Sequence, residues 1–161
     1  MRLSAEILSQ AEQRPNPLGE RELILRGLAI PAIEHLAVTR DAFECIDFCD
    51  NRLLRLENFP RLSRLTSLVV SGNLVESFDH KNIKSNLPNL TTLVLSYNRL
   101  SSLHEVANLG DSLSQLEFLS LQGNPVTSKC FKKQFVFGLF VYPSIREDLI
   151  PMHVVTKSSP A

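Results

Sequence analysis

The 161-residue sequence lacks the features that mark membrane, secreted or strongly nucleic-acid-binding proteins. It has no apolar run long enough to span a bilayer. Its N-terminus has no basic segment followed by an apolar one, so we expect no secretory signal. Its 17 Lys and Arg balance 17 Asp and Glu. Any contact with nucleic acid would therefore come from a local basic cluster, because the chain as a whole is not basic.

Features of catalytic and metal sites are also lacking. No serine lies in a G-x-S-x-G turn, and no glycine-rich loop suggests phosphate binding. The nearest carboxylate pair, Asp47 and Asp50, is predicted on an open face where nothing would desolvate it. The four histidines have no metal-ligand spacing. We therefore predict a protein that is not an enzyme and that uses no cofactor, metal or small-molecule substrate.

The three cysteines are few and unpaired. Cys45 and Cys49 are predicted on the outward side of one strand, where four residues separate their α-carbons by ~13 Å, beyond the reach of a disulfide. Cys130 is isolated in the sequence. An odd count without paired spacing predicts free thiols in a reducing compartment.

What the sequence does contain is an apolar phrase that recurs four times and closes each time on an asparagine: Asn51, Asn73, Asn98 and Asn124, at intervals of 22, 25 and 26 residues. The phrases are FECIDFCDNRL, LTSLVVSGNLV, LTTLVLSYNRL and LEFLSLQGNPV. Each fits L-x-x-L-x-L-x-x-N-x-L, the pattern of leucine-rich repeats. We interpret the asparagines as scaffold, bonded to backbone groups where each strand ends.

The repeats predict an α/β fold, a leucine-rich repeat solenoid that forms a short curved right-handed superhelix with a parallel sheet on its concave face. A degenerate first repeat begins at Arg21, with Leu28 where the asparagine would stand. Strands are then expected near 23–25, 46–48, 68–70, 93–95 and 119–121. The predicted organisation is an N-terminal cap helix and loop over 1–20, five repeats over 21–126, a C-terminal cap over 127–150 and a flexible tail over 151–161.

Both caps have sequence signals. At the N-terminus a helix is predicted from Leu3 to Glu12, with Ser4 as N-cap and Pro15 and Pro17 after it. At the other end Pro125 is expected to close the fifth turn. The cap that follows should be a helix whose inner face carries Phe131, Phe135, Leu139 and Tyr142. An edge strand is expected over Ile145–Leu149.

Residues without a core role point outward from the predicted strands, and we call these side chains the trough. Its middle row is Ile24, Asp47, Val69, Val94 and Ser120. The rows on either side are Arg26, Cys49, Ser71, Ser96 and Gln122, and Glu22, Cys45, Ser67, Thr92 and Phe118. Five strands span ~20 Å, about the length of a four-turn helix. The apolar floor between small residues favours a helix-in-groove site, although exposed strand positions also tolerate Val and Ser without any function.

Several phrases outside the core pattern carry a closer resemblance. The runs LSAEILSQAEQ, RELILRGLAIPAIEHL, T-x-D-x-F-x-x-IDF-x-DN and FPRLSRL, with the closing N-P-V-T-x-K, resemble the A-prime proteins of the spliceosomal U2 small nuclear ribonucleoprotein. The resemblance covers about residues 3 to 148. It departs from the family after Lys129, where the cap is longer and Glu147 replaces a leucine.

The resemblance implies a nuclear protein of pre-mRNA splicing that holds a B-double-prime protein, which has an RNA recognition motif (RRM), on its concave face. Together the two would bind a stem-loop of U2 small nuclear RNA. The partner-binding residues implied or read from the trough are Ile24, Arg26, Asp47, Asp50, Val69, Ser71, Val94, Ser96, Tyr97, Phe118 and Gln122. Lys129, Lys132, Lys133 and Arg146 are candidates for contact with RNA phosphates, or equally a solvated face of the cap.

Two alternatives remain open from the sequence. One is another leucine-rich repeat adaptor, of the dynein light chain or phosphatase-regulator type. The other is the acidic nuclear phosphoprotein family, which carries a long acidic tail, whereas this chain ends in VVTKSSPA.

Overall fold

The computed structural model describes residues 1–130 and, beyond them, 135–136, 139–142 and 153–156. The elements in chain order are α1 (Ala5–Gln10), β1 (Glu12–Pro15), β2 (Arg21–Ile24), a 3-10 helix (Leu36–Thr39), β3 (Cys45–Asp47), β4 (Arg55–Leu56), β5 (Ser67–Val69), β6 (Ser77–Phe78), α2 (His80–Asn86), β7 (Thr92–Val94), α3 (Leu103–Ser112), β8 (Phe118–Ser120), α4 (Pro125–Cys130), β9 (Phe135–Val136), β10 (Leu139–Tyr142) and β11 (His153–Thr156). Among the described residues no helix is long and apolar enough to cross a membrane.

The predicted parallel sheet is confirmed. Strands β2, β3, β5, β7 and β8 pair in parallel in that order, and their central residues are in register: Leu23, Ile46, Leu68, Leu93 and Leu119. Those five side chains are buried, because alternate residues of a strand point to one face. Each strand begins one or two residues earlier than the sequence predicted. The opposite face of the sheet carries the trough.

Each repeat returns to the sheet by a different route. The first uses the 3-10 helix, the third and fourth use α2 and α3, and β4 pairs with β6 in a separate two-stranded parallel sheet. Leucines, isoleucines, valines and phenylalanines from these return segments and from the strands form one continuous buried cluster. Burial of apolar surface on this scale, at about 25 cal/mol per Å², is the main stabilising term.

The four asparagines join neighbouring repeats, as the sequence predicted. Nδ2 of Asn98 donates to the carbonyls of Leu95 and Ser96 in its own repeat, at 3.0 and 3.3 Å, and to Val70 of the preceding repeat, at 2.9 Å. Its Oδ1 accepts from the backbone N–H of Val75 at 3.0 Å. The other three make equivalent bonds and are also buried. Buried backbone groups at every turn are satisfied in this way.

The N-terminal cap differs from the prediction after its helix. Ser4 does cap α1, its Oγ accepting from the N–H of Ile7 at 3.3 Å, but the helix ends at Gln10. The segment predicted as loop forms β1, which pairs antiparallel with β2. This strand covers the free edge of β2, whose backbone groups would otherwise lack partners on that side.

Two C-terminal predictions, the cap helix and the flexible tail, are wrong where the structure describes them. Pro125 begins α4, a position that suits a residue without an N–H. The predicted cap helix is replaced by the antiparallel strands β9 and β10, and β11 lies in the segment predicted as a flexible tail. β11 pairs with β8 and covers the last edge of the sheet. The run FVFGLFVY is rich in aromatic and β-branched residues, which favour strands. The strand predicted over Ile145–Leu149 lies outside the described residues.

Candidate functional site

The trough has an apolar floor. Ile24, Val69 and Val94 lie in one row across the sheet, because β2, β3, β5 and β7 are paired without a shift of register. All three side chains are half-buried, and so is Phe118 at the far end of the neighbouring row. The row between them and the turns carries the half-buried Ser71 and Gln122. The floor therefore offers apolar surface with polar side chains beside it.

Asp47 is in the predicted row but is already engaged. Its carboxylate is 2.9 Å from the guanidinium of Arg26 and accepts from the N–H of Cys49 at 2.8 Å. The side chain of Asp47 is 8% exposed, whereas that of Arg26 is 57% exposed. Asp47 raises the pKa of Arg26 by its charge. The buried carboxylate thus fixes the arginine, and the surface that a partner meets here is the guanidinium.

The thiols of Cys45, in β3, and of Cys49, two residues after β3, are buried, although the sequence placed them on the outward side of one strand. Cys45 donates to Oε1 of Glu22 at 3.7 Å, and both cysteines are free. Burial raises the pKa of Cys45 to about 12, with Glu22 adding to the effect. Burial and the neighbouring Asp47 raise the pKa of Cys49 to about 11. Both thiols are therefore protonated near neutral pH, and the protonated form is the weaker nucleophile.

Ser96 and Ser120 are also less available than predicted. Their hydroxyls lie 2.8 Å apart in a hydrogen bond, and both residues are buried. Because both hydroxyls are buried, neither is presented to a helix lying in the trough. They close the space between β7 and β8 instead.

A row of left-handed backbone borders the trough on the side where the strands end. It consists of the residue directly before each asparagine, together with the equivalent residue of the first repeat. We call these residues the left-handed row, and their φ angles lie between +56° and +72°: Gly27, Asp50, Gly72, Tyr97 and Gly123. Glycine adopts such angles without strain, whereas other residues cost of order 1–2 kcal/mol. Two of the five positions nevertheless carry side chains.

Those two side chains are the exposed part of the predicted site. Asp50 is exposed, and 60% of Tyr97 is accessible. Each lies over the glycine of the next repeat. A Cβ added to Gly72 would stand 2.5 Å from Oδ1 of Asp50, and one added to Gly123 would stand 2.4 Å from Cδ1 of Tyr97. Sequence reasoning named Asp50 and Tyr97 but missed the glycines, whose signal was their place directly before an asparagine.

The structure brings most of the predicted partner-binding residues onto one face, and it leaves the RNA candidates open. Lys132, Lys133 and Arg146 lie outside the described residues, and so does the side chain of Lys129. Within the described part of the chain, no group of three or more His, Cys, Asp or Glu side chains is arranged to hold a metal ion.

Two shallow cavities lie beside the N-terminal cap. One of about 210 Å³ lies among α1, β1 and the 3-10 helix, lined by apolar side chains such as Leu8, Val38 and Phe43, and by Arg21. The guanidinium of Arg21 lies 5.4 Å from the centre of the Phe43 ring. This cavity has no cluster of acid, base and nucleophile, so it offers no arrangement for catalysis.

Comparison with known proteins gives one consistent result. A family model described as leucine-rich repeat matches residues 1–148. The chain is 40% identical over 146 residues to the U2 small nuclear ribonucleoprotein A′ of Homo sapiens and to that of Mycosarcoma maydis, covering 91% of this chain. It is 40% identical over 136 residues to the Arabidopsis thaliana protein of that name. The chain spans 54–58% of the length of these relatives.

A solved structure agrees with the relatives. A chain from the crystal structure of the Drosophila melanogaster SNF/U2A′ complex superposes with a TM-score of 0.76 at 38% identity, covering 80% of this chain and 72% of that one. The chain therefore belongs to the leucine-rich repeat family, among the U2 small nuclear ribonucleoprotein A-prime proteins.

Proposed function

We propose that this protein is a non-catalytic subunit of the U2 small nuclear ribonucleoprotein in the nucleus. In this proposal its trough binds a helix of an RRM protein of the B-double-prime type, and the pair binds a stem-loop of U2 small nuclear RNA. The observation that carries the proposal is the likeness, at 38% identity and a TM-score of 0.76, to a chain solved in an SNF/U2A′ complex. The name of that structure gives a complex of SNF with U2A′.

The geometry of the trough fits a helix better than a loop or a small molecule. The parallel strands are in register, so the half-buried Ile24, Val69 and Val94 lie in one row across them, which Asp47 and its bound Arg26 interrupt between Ile24 and Val69. Five strands at ~4.8 Å spacing cover ~20 Å. A helix of that length has ~13 residues, with one apolar stripe to lay on the row.

The net charge of the chain supports a complex in which the partner makes most of the contacts with RNA. With 17 basic and 17 acidic residues, the chain has no excess of positive charge to attract RNA. RRM proteins read single-stranded RNA bases on the aromatic surface of their own sheet. The present chain would add contacts that orient the RRM protein, and Lys129, Lys132, Lys133 and Arg146 are the residues we propose for contact with RNA phosphates.

Binding of the recombinant RRM protein by titration calorimetry tests the trough directly. We expect Val94→Arg to weaken binding by about a hundredfold or more, because it places a charge and a long side chain on the apolar floor. The matched control is Leu54→Arg, which replaces an exposed leucine outside the trough. Urea unfolding of both variants checks that they are folded. If both variants lose affinity equally, or if neither variant loses affinity, the result contradicts a helix bound in the trough.

Recovery of the tagged chain from cell extract, with sequencing of the bound RNA, tests the assembly. U2 small nuclear RNA together with an RRM protein is the expected result. Recovery of tubulin, dynein or a phosphatase without that RNA would favour a different leucine-rich repeat adaptor and would defeat the proposal.

A further inference from the structure

Asp50 and Tyr97 are exceptional within the left-handed row. The other three positions are glycines, which reach φ near +70° without strain. Asp50 and Tyr97 hold φ of +56° and +57° and carry exposed side chains there. Strained backbone at exposed residues is more common at functional sites than elsewhere. The scaffold itself does not require these side chains, because glycine serves the same place in the neighbouring repeats.

The glycines on either side make room for the two side chains. Gly72 has no side chain where the Asp50 carboxylate lies, and Gly123 has none where the Tyr97 ring lies. The backbone under both residues is fixed, since the N–H of Asp50 donates to the carbonyl of Ser71 at 2.9 Å and that of Tyr97 to Gln122 at 2.7 Å. The left-handed row therefore has two projecting side chains on fixed backbone, Asp50 and Tyr97, which we call the two projections, with Gly72 between them.

Both projections attract cations. No ion pair or hydrogen bond engages the Asp50 carboxylate among the described residues, whereas the nearby Asp47 is bound to Arg26. The Tyr97 ring lies against Gly123 on one side and is 60% exposed. The face of an aromatic ring binds guanidinium and ammonium groups through its quadrupole. A carboxylate and an open ring face thus stand on the same border of the trough.

We propose that Asp50 and Tyr97 bind two basic side chains that stand seven residues apart on the partner helix. The proposal rests on the helix-in-trough function above. The two residues belong to repeats two strands apart, a separation of ~9.6 Å. Seven residues of helix advance ~10.5 Å and return to within ~20° of the same face. A spacing of six or eight residues would turn one basic side chain away from the row.

Titration of the full chain with the recombinant RRM protein of the B-double-prime type tests the two residues. We expect Asp50→Asn and Tyr97→Asn each to weaken binding about three- to tenfold, because each loses its attraction for a cation. Asparagine tolerates left-handed backbone, so both variants should fold. Tyr97→Phe keeps the ring, so it should recover most of the affinity that Tyr97→Asn loses. Asp111→Asn, at an exposed site on α3, is the control for loss of one charge.

The spacing is tested by double-mutant cycles against alanine variants of each Lys and Arg on the helix of the RRM protein. Asp50→Asn should couple to one basic residue, and Tyr97→Asn to another seven positions away. Coupling at a different spacing overturns the proposal, as does undiminished affinity of Asp50→Asn and Tyr97→Asn. In both of those cases the original chain still binds the RRM protein and the function stands. If the original chain does not bind at all, the function and this inference fail together.

Discussion

Each of the four asparagines donates to three backbone carbonyls and accepts from at least one backbone N–H of the preceding repeat. We expect Asn98→Ala to lower the free energy of unfolding by about 1–3 kcal/mol, because alanine leaves the N–H of Val75 without a partner and removes one of the two side-chain bonds to the carbonyls of Val70 and Leu95. Urea unfolding followed by circular dichroism measures the change. Asn108→Ala, at a half-buried site on α3, should change it by less than about 0.5 kcal/mol. Similar losses of stability in the two variants would mean that the hydrogen bonds of Asn98 are not the source of the loss.

The buried thiols give a pH dependence whose sign follows from their pKa values. Folding raises the pKa of Cys49 from 9.0 to about 11 and that of Cys45 to about 12. The protonated thiols therefore stabilise the fold fully below pH 9, and this stability is lost as the pH rises through 11 and 12. The free energy of unfolding should fall more steeply above pH 9 in the original chain than in a Cys45→Ala, Cys49→Ala variant. Parallel pH curves for the two proteins would contradict this expectation.

Because the thiols of Cys45 and Cys49 are buried, we also expect both to be alkylated slowly. In a Cys130→Ser background, iodoacetamide at pH 8 should label Cys45 and Cys49 much more slowly in the folded protein than in urea. A pKa three units above the pH leaves about 0.1% of a thiol as thiolate. Mass spectrometry of the peptides measures each site separately. Labelling in native buffer as fast as in urea would show that neither thiol is protected.

Among the elements, α3 has the clearest start signal. Ser102 caps it, its Oγ accepting from the N–H of Glu105 at 3.3 Å, in the S-x-x-E pattern of a capping box. Ser102→Ala should therefore destabilise the protein by about 0.5–2 kcal/mol. Ser114→Ala, at an exposed site after the helix, should have little effect. Thermal unfolding compares the two, and equal melting temperatures for Ser102→Ala and the original chain would rule out a contribution from this cap.

Elements with a strict sequence pattern were predictable, and elements that depend on partners distant in sequence were not. The five parallel strands follow from apolar alternation before each turn. β1 and β11 form because they meet the open edges of β2 and β8, and a local pattern does not reveal such edges. Spacing alone predicted a helix through Phe131 and Phe135, but pairing between β9 and β10 outweighed it.

The candidate site was predictable as a face but not in its chemistry. The rows of the trough follow from the register of the repeats. The sequence could not reveal that Asp47 is buried under Arg26, or that Ser96 and Ser120 bond to each other, because both contacts join different repeats. Of the predicted partner-binding residues, Arg26, Asp50 and Tyr97 are the ones that the structure leaves exposed.

At the scale of the whole molecule, the balance of charge predicts weak binding of RNA by the chain alone. In fluorescence anisotropy with a U2 stem-loop at about 150 mM salt, we expect no saturable binding by the isolated chain and clear binding by its mixture with the RRM protein. The RRM protein by itself is the control, and the mixture should bind more tightly. Tight binding by the isolated chain would mean that a local basic cluster acts independently.

The unequal intervals between the asparagines, 22, 25 and 26 residues, are absorbed entirely by the return segments. Strand register and turn geometry stay constant while the route between them changes from a short strand to a helix. Insertions and deletions can thus accumulate on the reverse of the molecule during evolution without displacing any contact made on the front. The outward-facing rows of the sheet thus keep one spacing whatever the length of the segment behind them.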